Sequence, residues 1–236
     1  MRAQLARRRE LLAAGDEPLG WKVGFGAPAS LARLRLAGPL VGFLLERARV
    51  PDGGRVSVAG WVRPVAEPEI ACHLARDVPA GASRDVAAGA IGALGAAIEL
   101  ADVDRTPDDV EEILARNIFQ RAVVLGPSDP GRAGGSAAGL AARVLVGGRE
   151  AGATDDVEAL TGKLAELVRH VASFLGAFGE ELRAGEVVIA GSIVPPLEVA
   201  PPTDVRFELA PLGAVSVRLD AVAPAARTSA AQPRGL

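Results

Sequence analysis

The segment Glu67-Pro68-Glu69-Ile70-Ala71 lies within an apolar stretch, residues 65–74, whose composition predicts a β-strand. Pro68 has no N–H group to donate to a neighbouring strand, so the strand is predicted to lie at a sheet edge or to bulge there. Residues two apart in a strand face the same side, roughly 6.5 Å from one another. Glu67 and Glu69 therefore lie side by side, and either water or a cation between them must relieve their repulsion.

A third glutamate lies in a second apolar strand, Ala97-Ile98-Glu99-Leu100-Ala101. Burying one carboxylate is costly unless it is paired or coordinates a metal. Carboxylates on adjacent strands would supply half of the octahedral oxygen shell that Mg²⁺ prefers. Two alternatives remain open from these residues alone: Glu67 and Glu69 as a solvated pair, and Glu99 as an edge residue facing solvent.

The composition limits the chemistry. The chain has 236 residues, 49% of them hydrophobic and 23% charged, with a net charge of −3. These values predict a globular protein that binds neither nucleic acid nor a membrane surface, and we expect it to be cytoplasmic. A single cysteine, Cys72, and two histidines, His73 and His170, exclude a zinc site built on several such ligands. Any metal ligands would be oxygens, which favours Mg²⁺ or Mn²⁺.

The order of elements favours an α+β fold with a mixed, curled sheet over a doubly wound sheet, because short strands crowd the later part of the chain. We predict a small N-terminal lobe (1–60), a β-roll domain that carries the glutamates (61–220) and a disordered tail (221–236). Helices are predicted over 1–14, 28–37, 85–96, 106–117 and 163–182. Strands are predicted over 19–25, 39–45, 65–74, 97–101, 122–125, 187–190, 204–210 and 214–219, with a hairpin over 143–150.

Several short motifs resemble, in their order along the chain, those of one known enzyme group. These are Trp21-Lys22-Val23-Gly24, the segment 67–71, Ala97-Ile98-Glu99-Leu100 and Gly191-Ser192-Ile193. The chain is similar over roughly residues 5–220 to the 2-keto-4-pentenoate hydratase and 4-oxalocrotonate decarboxylase branch of the fumarylacetoacetate hydrolase superfamily.

The resemblance implies a fold and a site. The fold would be a curled mixed β-sheet roll of the fumarylacetoacetase C-terminal type with helices packed around it. Glu67, Glu69 and Glu99 would bind Mg²⁺ or Mn²⁺, and the metal would stabilise an enolate of the substrate. Lys22 would be catalytic, moving protons or holding the substrate carboxylate. Asn117 and Ser192 match positions near the substrate; the alternatives that stay open are a helix C-cap for Asn117 and a plain turn serine for Ser192.

The implied activity is that of a metal-dependent lyase acting on small 2-oxo acids, in the first place a hydratase. Alternatives are a C–C hydrolase of acylpyruvate or fumarylacetoacetate type, a 2-oxo-acid decarboxylase, and a non-catalytic partner subunit. The family also implies a role in aromatic compound catabolism, a homo-oligomer and a complex with a homologous decarboxylase. The same ligands serve all these reactions, so the motifs distinguish neither the reaction nor the substrate length, the preferred metal or the oligomeric state.

The motifs depart from the family pattern at two places. Where hydratases of the family carry an acid in a Pro-Asp-aromatic-Gly segment, this chain has Leu40, which cannot act as a base. Glu46 lies nearby in sequence and is a candidate substitute. The family's Asp-Ser-Arg after the third ligand is Asp102-Val103-Asp104 here, so an arginine suited to a second substrate carboxylate is missing at that place.

Overall fold

The computed structural model describes residues 1–222, so nearly all of the predicted tail, 221–236, lies outside the described residues. The described strands are β1 (Pro18–Gly24), β2 (Leu40–Leu45), β3 (Arg49–Val50), β4 (Gly54–Ser57), β5 (Pro64–Leu74), β6 (Ile91–Asp102), β7 (Gln120–Asp129), β8 (Ala141–Val146), β9 (Arg149–Thr154), β10 (Val187–Ile189), β11 (Leu197–Glu198), β12 (Thr203–Ala210) and β13 (Gly213–Asp220). The helices are α1 (Arg2–Ala13), α2 (Pro28–Leu34), α3 (Arg84–Ala90), α4 (Val110–Ala115) and α5 (Leu164–Gly176).

The strands form two sheets. The larger has the order β2-β1-β10-β5-β6-β7-β3, with β11 also paired to β5, and the smaller has the order β4-β13-β12-β8-β9. β1 runs parallel to β10 and β3 parallel to β7, while the other pairs of the larger sheet are antiparallel. The predicted α+β fold with a mixed, curled sheet is confirmed. The larger sheet takes strands from both sides of residue 60, and the division into lobe and domain stays a prediction.

The pairing of β5 with β6 sets the position of the glutamates. Glu67 lies opposite Glu99, and Glu69 lies opposite Ala97. Because side chains alternate between the faces of a sheet, all three carboxylates project from the same face. The same face carries a small apolar cluster around Ala71, Ala97 and Ile189, whereas the opposite face belongs to the main core.

The prediction that Pro68 marks an edge or a bulge was wrong, because β5 is an interior strand with a regular register at Pro68. β10 pairs with β5 at residues 71–73 and β11 pairs with it at 65–66, which leaves Pro68 between them. There the carbonyl of Pro68 accepts a hydrogen bond from the N–H of Ile193, at 3.0 Å. N–H and C=O of one strand residue point to the same side, so the ring nitrogen of Pro68 faces the connecting segment and costs no ladder bond.

The helix predicted over 85–96 also needs correction, since α3 ends at Ala90 and β6 begins at Ile91. Gly92 and Gly95 therefore lie in a strand. A Cβ atom on Gly95 would come within 2.8 Å of the carbonyl oxygen of Pro127, and one on Gly92 within 2.7 Å of the Cβ of Ala75. These glycines allow close approach of neighbouring chain segments, a requirement that helical periodicity does not reveal.

The remaining helices differ from the predictions mainly at their ends. α4 begins after Asp109, whose Oδ1 accepts hydrogen bonds from the N–H groups of Glu111 (2.9 Å) and Glu112 (3.2 Å). Helix α5 ends at Gly176, six residues before the predicted end, and buries its apolar stripe in the main core. Of the described helices, none is long and apolar enough to cross a membrane.

Candidate metal centre and adjoining cavity

The carboxylates of Glu67, Glu69 and Glu99 meet on the face of the larger sheet that lies opposite the main core. One oxygen from each lies within 4.8 Å of the others. Glu69 and Glu99 are completely buried, and Glu67 is half-buried at the wall of a cavity. The alternatives of a solvated pair and of a solvent-facing edge residue are therefore wrong.

Lys22 joins this cluster from β1. The strand register places it between Gly42 on β2 and Ile189 on β10. Its side chain is 1% exposed, and its Nζ donates a hydrogen bond to Oε1 of Glu99. A Cβ atom on Gly42 would lie 2.9 Å from the Cγ of Lys22, so this glycine leaves room for the lysine stem. Lys22 is thus a buried partner of the glutamates and not a surface lysine.

The cluster fits a hard divalent cation. Oε1 of Glu69 and Oε2 of Glu99 are buried and have no hydrogen-bond partner among the residues that the structure describes. Buried acceptors without partners are costly, and ligation of a cation would satisfy both. The three oxygens lie within 4.8 Å of one another, so one cation could bind all of them after the side chains move closer. Charge agrees as well, because three carboxylates and one ammonium leave two negative charges for a divalent ion to balance.

The remaining oxygen of Glu69 is held by the backbone. Oε2 of Glu69 accepts a hydrogen bond of 2.7 Å from the N–H of Gly191. Gly191 has a φ of +87°, a left-handed conformation that favours glycine. This backbone donor lies two residues beyond the end of β10 and fixes which carboxylate oxygen of Glu69 remains available to an ion.

Burial and mutual repulsion perturb the titration of the cluster. Burial raises the pKa of Glu99 to about 7, although the Lys22 ammonium opposes the shift. Burial, followed by the charge of Glu99, holds the pKa of Glu69 well above its usual range. Burial also raises the pKa of Glu67. Burial alone would lower the pKa of Lys22, but the surrounding glutamates outweigh it, so the pKa of this ammonium is raised.

A cavity of about 300 Å³ adjoins the carboxylates, with Glu67 in its wall. The end of β1, the connection after β10 and a turn before β7 enclose it. Its wall is mainly apolar, and the contributing side chains include Phe25, Val103, Ile118, Phe119, Leu160 and Val194. Ser192, predicted to bind substrate, also lines this cavity. Its Oγ donates to the carbonyl of Val194 at 2.7 Å, and its contact with substrate stays a prediction.

Asn117 lies beside the site but outside the cavity lining. Its Oδ1 accepts hydrogen bonds from Nε2 of Gln4 (2.8 Å) and from the N–H of Phe43 (2.9 Å). Its Nδ2 donates to the carbonyl of Phe43 at 2.8 Å. The structure therefore uses this amide to join the segment 117–119 to β2, and substrate binding by Asn117 stays a prediction.

The residues that Asn117 anchors were missed by the sequence predictions. Asn117, Ile118 and Phe119 all have left-handed backbones, with φ values of 51°, 54° and 62°. This conformation is uncommon for any residue other than glycine and is unfavourable for a β-branched residue such as isoleucine. It places Ile118 and Phe119 in the cavity wall. Asn tolerates such backbones and is the one local signal that a reader of the sequence could have used.

The structure shows where Leu40 and its candidate substitute Glu46 lie relative to the cavity. Leu40 is buried, and the β1–β2 register pairs it with Gly24 near the cavity. Glu46 lies beyond the other end of β2 and forms a salt bridge with Arg49. The proposed replacement of the missing acid by Glu46 is therefore wrong, because the antiparallel pairing carries this residue away from the cavity.

Comparison with known proteins finds a hydratase, decarboxylases and a hydrolase that are similar to this chain. No protein-family model matches the chain. The 2-hydroxyhexa-2,4-dienoate hydratase of Comamonas testosteroni is 31% identical over 196 residues, which cover 81% of this chain and 73% of the hydratase. The 4-oxalocrotonate decarboxylase from Pseudomonas putida G7, complexed with magnesium and adipate, has a TM-score of 0.84 at 24% identity, covering 92% of this chain and 83% of the decarboxylase. The fumarylpyruvate hydrolase from Pseudomonas aeruginosa, complexed with Mn²⁺ and pyruvate, has a TM-score of 0.68 at 19% identity, covering 85% and 88% of the two chains.

A curled mixed sheet with buried carboxylates at a small cavity defines an enzyme of the fumarylacetoacetate hydrolase fold. Within that class, the chain belongs to the hydratase and decarboxylase branch of the fumarylacetoacetate hydrolase superfamily, as the motifs predicted.

Proposed function

We propose that the enzyme is a divalent-metal-dependent hydro-lyase that hydrates a 2-hydroxydienoate to a 4-hydroxy-2-oxo acid. The observation that carries this proposal is the buried cluster of Glu67, Glu69 and Glu99, with unpartnered oxygens beside a small cavity. The hydratase relative favours this reaction within the branch. In the proposed reaction the dienol would take up a proton at C5 as the enol proton leaves, which gives a conjugated 2-oxo acid. Water would then add its hydroxyl at C4 and its proton at C3.

Glu67, Glu69 and Glu99 would hold the metal, and we propose Mg²⁺ or Mn²⁺ because the donors are all carboxylate oxygens. When bound, the ion supplies Lewis acidity that stabilises negative charge on the 2-oxo oxygen. The ions described for the structural relatives, magnesium and Mn²⁺, agree with this choice.

Lys22 is the group of the chain that we propose to handle charge and protons. Its ammonium lies inside the cluster and is shielded from water, so its charge acts at close range on any anion bound there. It would hold the substrate carboxylate or transfer a proton to the dienol carbon.

Decarboxylation of a 2-oxo acid is the second candidate. The observation that favours it is Leu40, a buried apolar side chain where family hydratases carry an acid. Loss of CO₂ needs a sink for electrons but no base to activate water. Decarboxylase relatives at 25–27% identity support this candidate less strongly than the hydratase relative at 31% supports hydration.

The experiment is an assay of the purified protein with 2-hydroxypenta-2,4-dienoate and Mg²⁺, in which ultraviolet absorbance follows loss of the conjugated dienol. We expect metal-dependent loss of absorbance and formation of a 4-hydroxy-2-oxo acid. A parallel assay for CO₂ release from 4-oxalocrotonate tests the second candidate. A folded, metal-loaded protein that hydrates no dienoate would refute the hydratase proposal.

The family relationship supports three further proposals. The enzyme would act in the catabolism of aromatic compounds, form a homo-oligomer, and associate with a homologous decarboxylase. Sedimentation of the purified protein, alone and mixed with such a decarboxylase, measures the last two.

A further inference from the structure

We propose that the cavity beside the carboxylates selects 2-oxo acids whose far end is apolar, and that it rejects 2-oxo acids with a second carboxylate. The inference rests on the proposed function, because it concerns the tail of a substrate whose 2-oxo acid end lies at the carboxylate cluster. It adds a substrate class that the ligand set alone does not determine.

The first support is the chemistry of the cavity wall. Apart from Glu67 its side chains are hydrocarbon or hydroxyl, and the largest apolar surfaces come from Phe25, Ile118, Phe119 and Leu160. Two hydroxyls already have partners, since Ser192 donates to the carbonyl of Val194 at 2.7 Å and Thr161 donates to that of Gly162 at 3.3 Å. The wall therefore offers a substrate tail contact area and little hydrogen bonding.

The second support is the distribution of charge. Among the described residues Glu67 is the one ionisable group in the lining, and as a proposed metal ligand it offers a second carboxylate no positive partner. Lys22 is already surrounded by the three glutamates. No lysine or arginine contributes to the lining of the cavity, as far as the described residues go.

Two arginines close in sequence to the wall form ion pairs with other acids. Arg116 pairs with Asp104 at 2.8 Å, and Arg121 lies 3.5 Å from Asp102. These two acids flank Val103, which itself faces the cavity. Around Val103 the chain thus presents an apolar side chain to the cavity, while the neighbouring acids form ion pairs outside the cavity lining.

The third support is that this wall is fixed. Ile118 and Phe119 reach the cavity through left-handed backbones, and Asn117 holds that segment with three hydrogen bonds. A segment kept in an unfavourable conformation by its surroundings is held in place and will not rearrange to admit a cation. A tail carboxylate that enters the cavity would therefore lose its hydration without gaining a partner.

The test is calorimetric binding to the Mg²⁺-loaded protein of three unreactive probes: pyruvate, 2-oxohexanoate and 2-oxoadipate. The two longer probes have the same six-carbon chain and differ in the tail, which is a methyl group in one and a carboxylate in the other. We expect 2-oxohexanoate to bind at least about 100-fold more tightly than 2-oxoadipate, given the cost of burying an unpaired carboxylate. Equal or tighter binding of 2-oxoadipate would overturn the inference.

Pyruvate separates this inference from the proposed function, because it carries the 2-oxo acid group without a tail. If pyruvate binds and the longer probes do not differ, the selection of the tail is wrong and the proposed function stands. If no probe binds while Mg²⁺ does, both are wrong.

Two variants at one position test whether the cavity wall determines the selectivity for the substrate tail. Val103→Arg adds a cation where the half-buried valine faces the cavity, and we expect it to tighten 2-oxoadipate binding at least about tenfold. Val103→Met adds length without charge and should keep the wild-type order of affinities. Should Val103→Arg fail to fold, as judged by circular dichroism, Ser30→Lys introduces a cation from α2 instead. Unchanged affinities in a folded cationic variant would contradict the inference.

Discussion

Lys22 places a positive charge among three carboxylates at a buried position where solvent cannot screen their repulsion. Its ammonium touches Glu99 and is screened from solvent by β1, β2 and β10, so a replacement of similar shape removes charge without opening a large hole. The effects of such a replacement should therefore appear in catalysis more than in folding.

We predict that Lys22→Met retains metal binding and lowers kcat for dienoate hydration by about 10²- to 10⁴-fold, the usual range for loss of an acid–base group. Steady-state kinetics with saturating Mg²⁺ measures this. Lys163→Met is the matched control, because Lys163 is an exposed lysine that pairs with Glu158 outside the cavity. A Lys22→Met enzyme with wild-type kcat would remove Lys22 from the proposed machinery.

The raised pKa values of the glutamates predict how the site responds to pH. Glu99 has a pKa of about 7 in the metal-free fold, against 4.5 for an ordinary glutamate, so the native state holds a proton that the unfolded chain has released. The metal-free protein should therefore become less stable as pH rises from about 4.5 to about 7. Metal binding has the opposite dependence, because an ion must displace that proton. We expect the apparent affinity for Mg²⁺ to fall by up to about tenfold per pH unit, for each proton displaced, below about pH 7.

Urea unfolding of the metal-free protein and calorimetric titrations with Mg²⁺, each at about pH 6 and about pH 8, measure the two effects. Metal affinity that stays constant over this range would contradict the raised pKa values.

Gly191 connects backbone conformation to the metal centre. Gly191→Ala should lower the free energy of unfolding by about 1–2 kcal/mol, since a left-handed alanine is disfavoured, and it should also weaken metal binding by shifting the N–H that holds Glu69. Gly185→Ala is the control, because Gly185 has the same φ of +87° and open space around it. Both variants should lose stability, and only Gly191→Ala should lose metal affinity. Equal metal affinities in the two would show that the bond to Glu69 is unimportant.

At the scale of elements, the segment 117–119 is a rigid wall made from an irregular backbone. Asn117→Ala removes three hydrogen bonds and a residue that tolerates a left-handed backbone, so we expect a loss of roughly 3–4 kcal/mol of unfolding free energy. Asn117→Gly loses the same bonds but keeps the backbone freedom, and it should be more stable than the alanine variant by about 1 kcal/mol. Urea unfolding compares the two variants with wild type. An Asn117→Ala protein as stable as wild type would contradict this role of the segment.

The elements also show what sequence patterns can and cannot predict. The apolar stretches around Glu67 and Glu99 were sufficient to predict two strands, and strand periodicity was sufficient to place Glu67 and Glu69 on one face. The position of Glu99 beside them depends on the pairing of β5 with β6, which only the family resemblance implied.

The helix predicted through residue 96 was wrong because Gly92 and Gly95 are strand residues whose lack of a side chain lets Ala75 and Pro127 pack closely against them. These contacts are distant in sequence and do not appear in the local pattern. The interior position of Pro68 depends on where β10 ends and β11 begins. The left-handed backbone at Asn117 depends on its hydrogen bonds to β2. Neither feature is encoded in the neighbouring sequence.

For the whole molecule, the metal should contribute measurably to stability, since the folded chain brings β5 and β6 together and the unfolded chain does not. At a metal concentration of about 100 times Kd, binding adds about 2.7 kcal/mol to the free energy of unfolding. For a domain of this size that corresponds to a rise in Tm of roughly 5–11 °C. Thermal melts in EDTA and in excess Mg²⁺ measure the shift, and a Tm unaffected by either would contradict a site formed by folding.

The most direct test of the account is a calorimetric titration of the protein with Mn²⁺, comparing wild type with Glu69→Gln. Glutamine preserves the shape of the side chain and its contact with Gly191 while removing the charge that ligates the ion. Glu150→Gln serves as control, because Glu150 is an exposed residue of β9 paired with Arg143. We predict that wild type and Glu150→Gln bind one Mn²⁺ per chain and that Glu69→Gln binds at least about 100-fold more weakly. Absence of binding by folded wild type, or equal binding by Glu69→Gln, would contradict the claim that these carboxylates form a metal centre.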